Sequence, residues 1–138
     1  MSQILIVDDD PQVRRMLCRI METHNIECEA VSTVSEARSL IALGMPTILL
    51  LDVVVGGESG LVLHAELRRE DPLVPAVVFV TGRRDFFHQL SAVVGRSDDW
   101  IIKPWDPAEL MARVRLVLRR QADPDPARPG SLAADRHD

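Results

Sequence analysis

The sequence predicts an α/β domain, a doubly wound parallel sheet of five strands with helices on both faces. Three observations point there. Short, almost wholly apolar runs such as Ile4–Val7, Thr47–Leu51 and Ala76–Val80 are the pattern of strands buried on both faces. Stretches with apolar residues at helical spacing alternate with them. The order strand then helix repeats five times through short connections, which folds most simply into a parallel sheet covered on both sides.

Ile4-Leu5-Ile6-Val7 ends abruptly in Asp8, Asp9 and Asp10. Asp10 and Pro11 stand as N-cap and first helical residue, and Val13, Met16, Leu17, Ile20 and Met21 follow at helical spacing. Residues Ile26 to Val31 form a weaker, alternating strand. Thr33-Val34-Ser35-Glu36 is a capping-box pattern opening a second helix; Gly44 is placed to end it and Pro46 to prevent its continuation. Thr47 to Leu51 is an apolar strand that ends in Asp52, and Gly56-Gly57 and Gly60 mark a loop. A third helix is expected from about Leu61 to Arg69, stopped by Asp71-Pro72. Ala76 to Val80 is the fourth strand, ending in Thr81-Gly82, and Phe86, Phe87, Leu90, Val93 and Val94 lie on a fourth helix. Trp100-Ile101-Ile102 is the fifth strand, ending in Lys103-Pro104. Asp106-Pro107-Ala108-Glu109 opens the last helix, and Leu110, Val114, Val117 and Leu118 give it one apolar stripe.

A length of 138 residues suits one domain. We assign residues 1–121 to it and 122–138 to a flexible proline-rich tail or linker, because Asp123-Pro124-Asp125-Pro126 and Arg128-Pro129-Gly130 offer no core residues. A stand-alone protein and a piece of a longer chain cut at this linker both fit. The net charge of −5 argues against a nucleic-acid footprint. No apolar run reaches the roughly 18 residues of a membrane span, and no signal peptide precedes the first strand. Cys18 and Cys28 lack metal or redox spacing and read as inert thiols in a reducing cytoplasm.

In doubly wound sheets, ligands bind beyond the carboxyl ends of the strands, at the switch in strand order. Those ends carry the polar residues here: Asp8, Asp9 and Asp10 after the first strand, Asp52 after the third, Thr81 after the fourth and Lys103 after the fifth. Clustered carboxylates raise one another's pKa unless a cation sits among them. Mg2+ suits one or two carboxylates, several waters and a phosphate oxygen. Lys103 can serve as a point charge for a phosphoryl oxygen, Thr81 as a hydroxyl donor, and an Asp nucleophile can form an acyl phosphate. Asp10 fits a helix cap better than a metal ligand. His24, His64, His88 and His137 are scattered and show no evident partner.

From Gln3 to about Arg120 the chain resembles the response regulator receiver domains of two-component signalling. The motifs are Ile-Leu-Ile-Val-Asp8-Asp9-Asp10, Leu-Leu-Leu-Asp52 with Gly60 eight residues later, Val-Thr81-Gly82, Lys103-Pro104-Trp105, and Trp100 where the family has Tyr or Phe. The resemblance implies a flavodoxin-like (βα)5 fold with strand order 2-1-3-4-5. It implies Asp52 as phosphoacceptor, Mg2+ held by Asp9 and Asp52, by Asp8 partly through water and by the Val54 carbonyl, and Lys103 on the phosphoryl group. It further implies Thr81 and Trp100 as switch residues and a cis peptide before Pro104. The expected partners are a histidine kinase or histidine phosphotransfer protein upstream and a target protein or effector domain downstream. The face of the fourth helix, fifth strand and fifth helix would carry the signal and is where a homodimer would pair. Such a protein turns over no external substrate; it catalyses its own phosphotransfer and a slow autodephosphorylation.

The chain departs from the family at several positions. Val55-Gly56 replaces the usual Met-Pro, which predicts a more mobile loop, and Arg96-Ser97 replaces Gly-Ala. Arg83 occupies the position that in this family tunes autodephosphorylation. Trp100 is bulkier than Tyr and donates only. These departures leave a phosphorylation-independent interaction module as the alternative. A Mg2+-dependent phosphohydrolase would want a general acid where Val54 stands, and no GxGxxG follows the first strand for a dinucleotide.

Overall fold

A computed structural model describes residues 3–82, 85, 87–95 and 98–122. Residues 123–138 of the expected tail, and with them Phe86, Arg83, Arg96 and Ser97, lie outside the described residues, while Ala122 ends the last helix. The elements run β1 (Ile4–Val7), α1 (Pro11–Thr23), β2 (Cys28–Val31), α2 (Val34–Leu43), β3 (Ile48–Leu51), β4 (Val54–Val55), β5 (Glu58–Ser59), α3 (Gly60–Glu70), β6 (Ala76–Thr81), α4 (Phe87–Val93), β7 (Asp99–Ile102) and α5 (Pro107–Ala122). Five strands form one parallel sheet in the order β2-β1-β3-β6-β7. The short β4 and β5 pair only with each other, so this is the expected order with two numbers added.

The apolar runs become strands because both faces of the sheet are covered. Ile4, Ile6, Ile48, Leu50, Val78 and Val80 pack with Leu17 and Met21 of α1 and Leu110 and Val114 of α5. The alternate residues Leu5, Val7, Leu49, Leu51, Val77 and Phe79 pack with α2, Leu63 and Leu67 of α3, and Leu90 of α4. Each such side chain, taken fully out of water, contributes about 1.5–3 kcal/mol. Among the described residues no helix is long and apolar enough to cross a membrane.

The caps follow their expected chemistry. Asp10 caps α1, its carboxylate accepting from Gln12 N at 2.9 Å. Thr33 caps α2, accepting from Glu36 N at 3.0 Å, while Glu36 reaches back to the Ser32 amide at 3.4 Å. Several details differ from the sequence reading. β2 starts at Cys28 rather than Ile26, because Asn25 turns with φ 58° and the Ile26 amide still closes α1 onto Met21 O at 3.0 Å. Gly44 ends α2 in an extended conformation, φ 176°, rather than the left-handed one usual at such a position. The Gly56-Gly57 loop is a tight antiparallel hairpin pairing Val54 with Ser59 and Val55 with Glu58. Its two glycines take φ 55° and 85°, and a two-residue hairpin turn of this kind needs positive φ at both central positions.

Candidate functional site

Because the strands are parallel, their carboxyl ends meet along one edge. Val7, Leu51, Phe79 and Trp100 lie in one row across the sheet, and the residues just beyond the strand ends converge. Each backbone is held by its neighbour: Asp8 N donates to Val31 O at 3.2 Å, Asp52 N to Val7 O at 3.1 Å and Lys103 N to Thr81 O at 2.8 Å. The side chains of Asp8, Asp52 and Lys103 therefore arrive on a rigid platform.

Lys103 Nζ bridges two carboxylates, donating to Asp8 Oδ2 at 2.8 Å and to Asp52 Oδ2 at 2.9 Å. One oxygen each of Asp8, Asp9 and Asp52 lies within 4.8 Å of the others. Asp8 and Asp52 are buried and Asp9 is exposed. The other oxygen of Asp8 accepts from Asp10 N at 2.9 Å, and the Asp8 carbonyl accepts from Arg14 Nη1 at 2.7 Å.

Among the described residues, Asp8 and Asp52 share the Lys103 ammonium, and Asp9 lies beside them. Burial raises the Asp8 pKa, and the Lys103 and Asp10 donors only partly offset it. Burial works against the Lys103 charge, yet its bonds to Asp8 and Asp52 outweigh that and its pKa is raised. Among the described residues the site thus gathers more carboxylates than cations. All its free donors are hard oxygens, which fits a small divalent cation such as Mg2+. Val54, whose carbonyl the resemblance assigns to the metal, opens the β4–β5 hairpin two residues after Asp52.

Gly60 explains the spacing from Asp52. Its amide donates to Val53 O at 2.7 Å, and a Cβ at this position would stand 2.1 Å from the Asp52 carbonyl oxygen. Only glycine allows α3 to start directly against the backbone of Asp52. Thr81 is fully buried at the end of β6, beside the Lys103 backbone. Trp100 is half-buried on β7, its ring edge-on to Phe87 at 5.0 Å. The Lys103–Pro104 peptide is cis, as the resemblance implied, and so is Val74–Pro75.

His64, with no evident partner in the sequence, has one here. His64 Nε2 lies 2.8 Å from Asp98 Oδ2, and Arg68 pairs with the same carboxylate. Asp98 is fully buried and also accepts from Val77 N at 3.1 Å and Gly95 N at 3.0 Å. Burial alone would raise its pKa, but His64, Arg68 and the Gly95 amide bring it down to about 2. The one available signal was polar residues at an i, i+4 spacing beside the buried Leu63 and Leu67. The acid they meet lies 30 and 34 residues away, so no local pattern reveals it.

Cys18 and Cys28 are free thiols, and burial followed by the neighbouring Cys18 pushes the Cys28 thiol up to about 12. A thiol so reluctant to ionise is a poor nucleophile.

The family model for the response regulator receiver domain matches residues 4–115. The chain is 32% identical over 136 residues to the phosphate regulon transcriptional regulatory protein PhoB of Pseudomonas aeruginosa, covering 96% of this chain and 59% of that protein. Across four such curated relatives it spans between 51% and 59% of their length. Among solved structures, the BeF3-activated N-terminal receiver domain of Klebsiella pneumoniae RstA aligns with a TM-score of 0.73 at 33% identity, over 84% of this chain and 97% of that one. The fold also matches the response regulator TrrA of Thermotoga maritima, solved in complex with Mg2+-BeF, with a TM-score of 0.73 at 24% identity, over 85% and 99% of the two chains.

Proposed function

This chain belongs to the response regulator receiver domain family of two-component signalling, and from that premise we propose that Asp52 accepts a phosphoryl group from a phosphohistidine donor. The observation that carries the proposal is the Lys103 ammonium spanning Asp8 and Asp52 at 2.8 and 2.9 Å, with Asp9 beside them. An Asp52 carboxylate oxygen forms the new bond to phosphorus while the donor's N–P bond breaks and its imidazole leaves. The product is an acyl phosphate on Asp52.

Lys103 holds Asp52 in place before transfer and then has an ammonium proton to offer a phosphoryl oxygen. Asp8, Asp9, Asp52 and the Val54 carbonyl would hold Mg2+, which supplies charge neutralisation for the phosphoryl oxygens. Thr81, at the end of β6, offers a hydroxyl to the phosphoryl group. Trp100, one strand over, is the residue whose packing follows. The exposed side of α4, β7 and α5 then meets a target protein, an effector domain or a second copy. Phosphate acts by shifting the population between two states rather than by turnover.

Intact mass after incubation with acetyl phosphate and Mg2+ tests this. Wild type should gain one phosphoryl group, and Asp52→Asn, or wild type without metal, should gain none. No gain in wild type, where another receiver domain is labelled, would leave the fold as a phosphorylation-independent interaction module.

A further inference from the structure

One stripe of α3 touches both ends of the switch. Gly60 lies against the Asp52 backbone, and His64 and Arg68, one and two turns further on, hold Asp98. Spacings of four and eight residues keep the three on one side of a helix. Asp98 is the residue before β7, so it sits two residues from Trp100.

His64 also packs on the sheet row that joins these ends. Its ring centroid is 5.3 Å from that of Phe79, and Phe79 pairs in register with Leu51 on one side and Trp100 on the other. The carboxylate of Asp98 is acceptor-only, so the His64 Nε2 carries the shared proton. The following residue, Asp99, points the opposite way and takes Arg113 of α5 at 2.9 Å. The start of β7 is therefore gripped from both faces of the sheet, by α3 through Asp98 and by α5 through Asp99.

We propose that α3 is a second coupling element between Asp52 and the switch strand, with His64 as the positioning residue that transmits displacement at Gly60 to Asp98 and so to Trp100. It rests on the reading of Asp52 as phosphoacceptor. The coupling is mechanical: because nothing larger than glycine fits between α3 and the Asp52 carbonyl, a change in the Asp52 backbone must be passed to the helix rather than absorbed. Two turns of helix deliver it to a buried carboxylate whose bonds have no slack from solvent. This route runs along the face of the sheet packed by α3, separate from the path through Thr81.

The experiment uses the Trp105→Phe background, which leaves Trp100 as the sole tryptophan. Phosphorylation is read by intact mass and the switch by Trp100 emission, both with acetyl phosphate and Mg2+. His64→Leu should be labelled to the wild-type extent yet lose at least half of the Trp100 change. His64→Gln, which can place an N–H where Nε2 stood, should recover most of it. A His64→Leu protein that labels and shows the full Trp100 response overturns the proposal, as does a labelled wild type whose Trp100 never responds. Should His64→Leu fold poorly, the ring nitrogen shifts of His64 in the wild-type protein decide: they move on phosphorylation if α3 carries the signal, and stay fixed if it does not. Failure of the Asp52 reading looks different, because no mass is gained by any variant.

Discussion

Two clusters of buried charge in this domain use the same kinds of side chain and reach opposite electrostatic states. At the strand ends, among the described residues, Asp8 and Asp52 share the ammonium of Lys103 with Asp9 beside them, and Asp8 is left with a raised pKa. Beneath α3, one carboxylate, Asp98, receives an arginine, a histidine and two backbone amides, and its pKa falls to about 2. The second cluster is closed: its donors match its acceptors and nothing more is needed. The first is open: its described residues hold more carboxylates than cations, and it faces solvent through Asp9. A buried carboxylate alone does not mark a reactive site; a carboxylate cluster left under-compensated, at an edge a ligand can reach, does.

The largest expected effect contrasts the two acids directly. Asp98→Ala removes the buried carboxylate that Arg68 and His64 share, leaving Arg68 the Asp71 and Pro75 carbonyls, and should cost about 3–5 kcal/mol in urea unfolding. Asp52→Asn removes one of three crowded negative charges while Lys103 keeps Asp8, and should change stability by no more than about 1 kcal/mol. Equal losses would erase the distinction between a closed and an open cluster. The next effect is in pH. The folded pKa of Asp98 is depressed, so its contribution is present above the unfolded value near 4 and is lost as pH falls through about 2. The stability gap between wild type and Asp98→Asn should therefore narrow by about 2 kcal/mol between pH 5 and pH 2. A gap that stays constant over that range would mean that the Asp98 charge is not what holds the cluster.

The open cluster was legible in the sequence and the closed one was not, for a physical reason. Asp8, Asp9, Asp52 and Lys103 each sit just past a short apolar run, and parallel strands must end together, so strand order alone brings them to one edge. Asp10, Thr33 and Asp106 were readable for a similar reason: a cap acts on residues two or three positions away. Asp98 acts on residues 30 and 34 positions away, through the packing of α3 on the sheet. The Gly56-Gly57 pair read only as a loop, because the hairpin rests on the pairing of Val54 with Ser59 and Val55 with Glu58. The tight fit of Gly60 on Asp52 was visible only as a spacing, with its cause left to the backbone geometry.

The smallest effect separates the clusters by what they bind. An open, under-compensated site should gain stability from a bound cation, and a closed one should not. At a Mg2+ concentration tenfold above its dissociation constant, binding to the folded state alone stabilises by about 1.4 kcal/mol. Wild type should show that increment in thermal unfolding. Asp9→Asn should lose most of it, and because Asp9 is exposed the substitution should leave the metal-free protein near wild-type stability. Asp98→Asn starts from a lower stability but should keep the full increment, since its cluster has no oxygen left to offer. An increment that survives Asp9→Asn, or disappears in Asp98→Asn, would mean that Mg2+ stabilises the domain at some place other than the edge where Asp8, Asp9 and Asp52 meet.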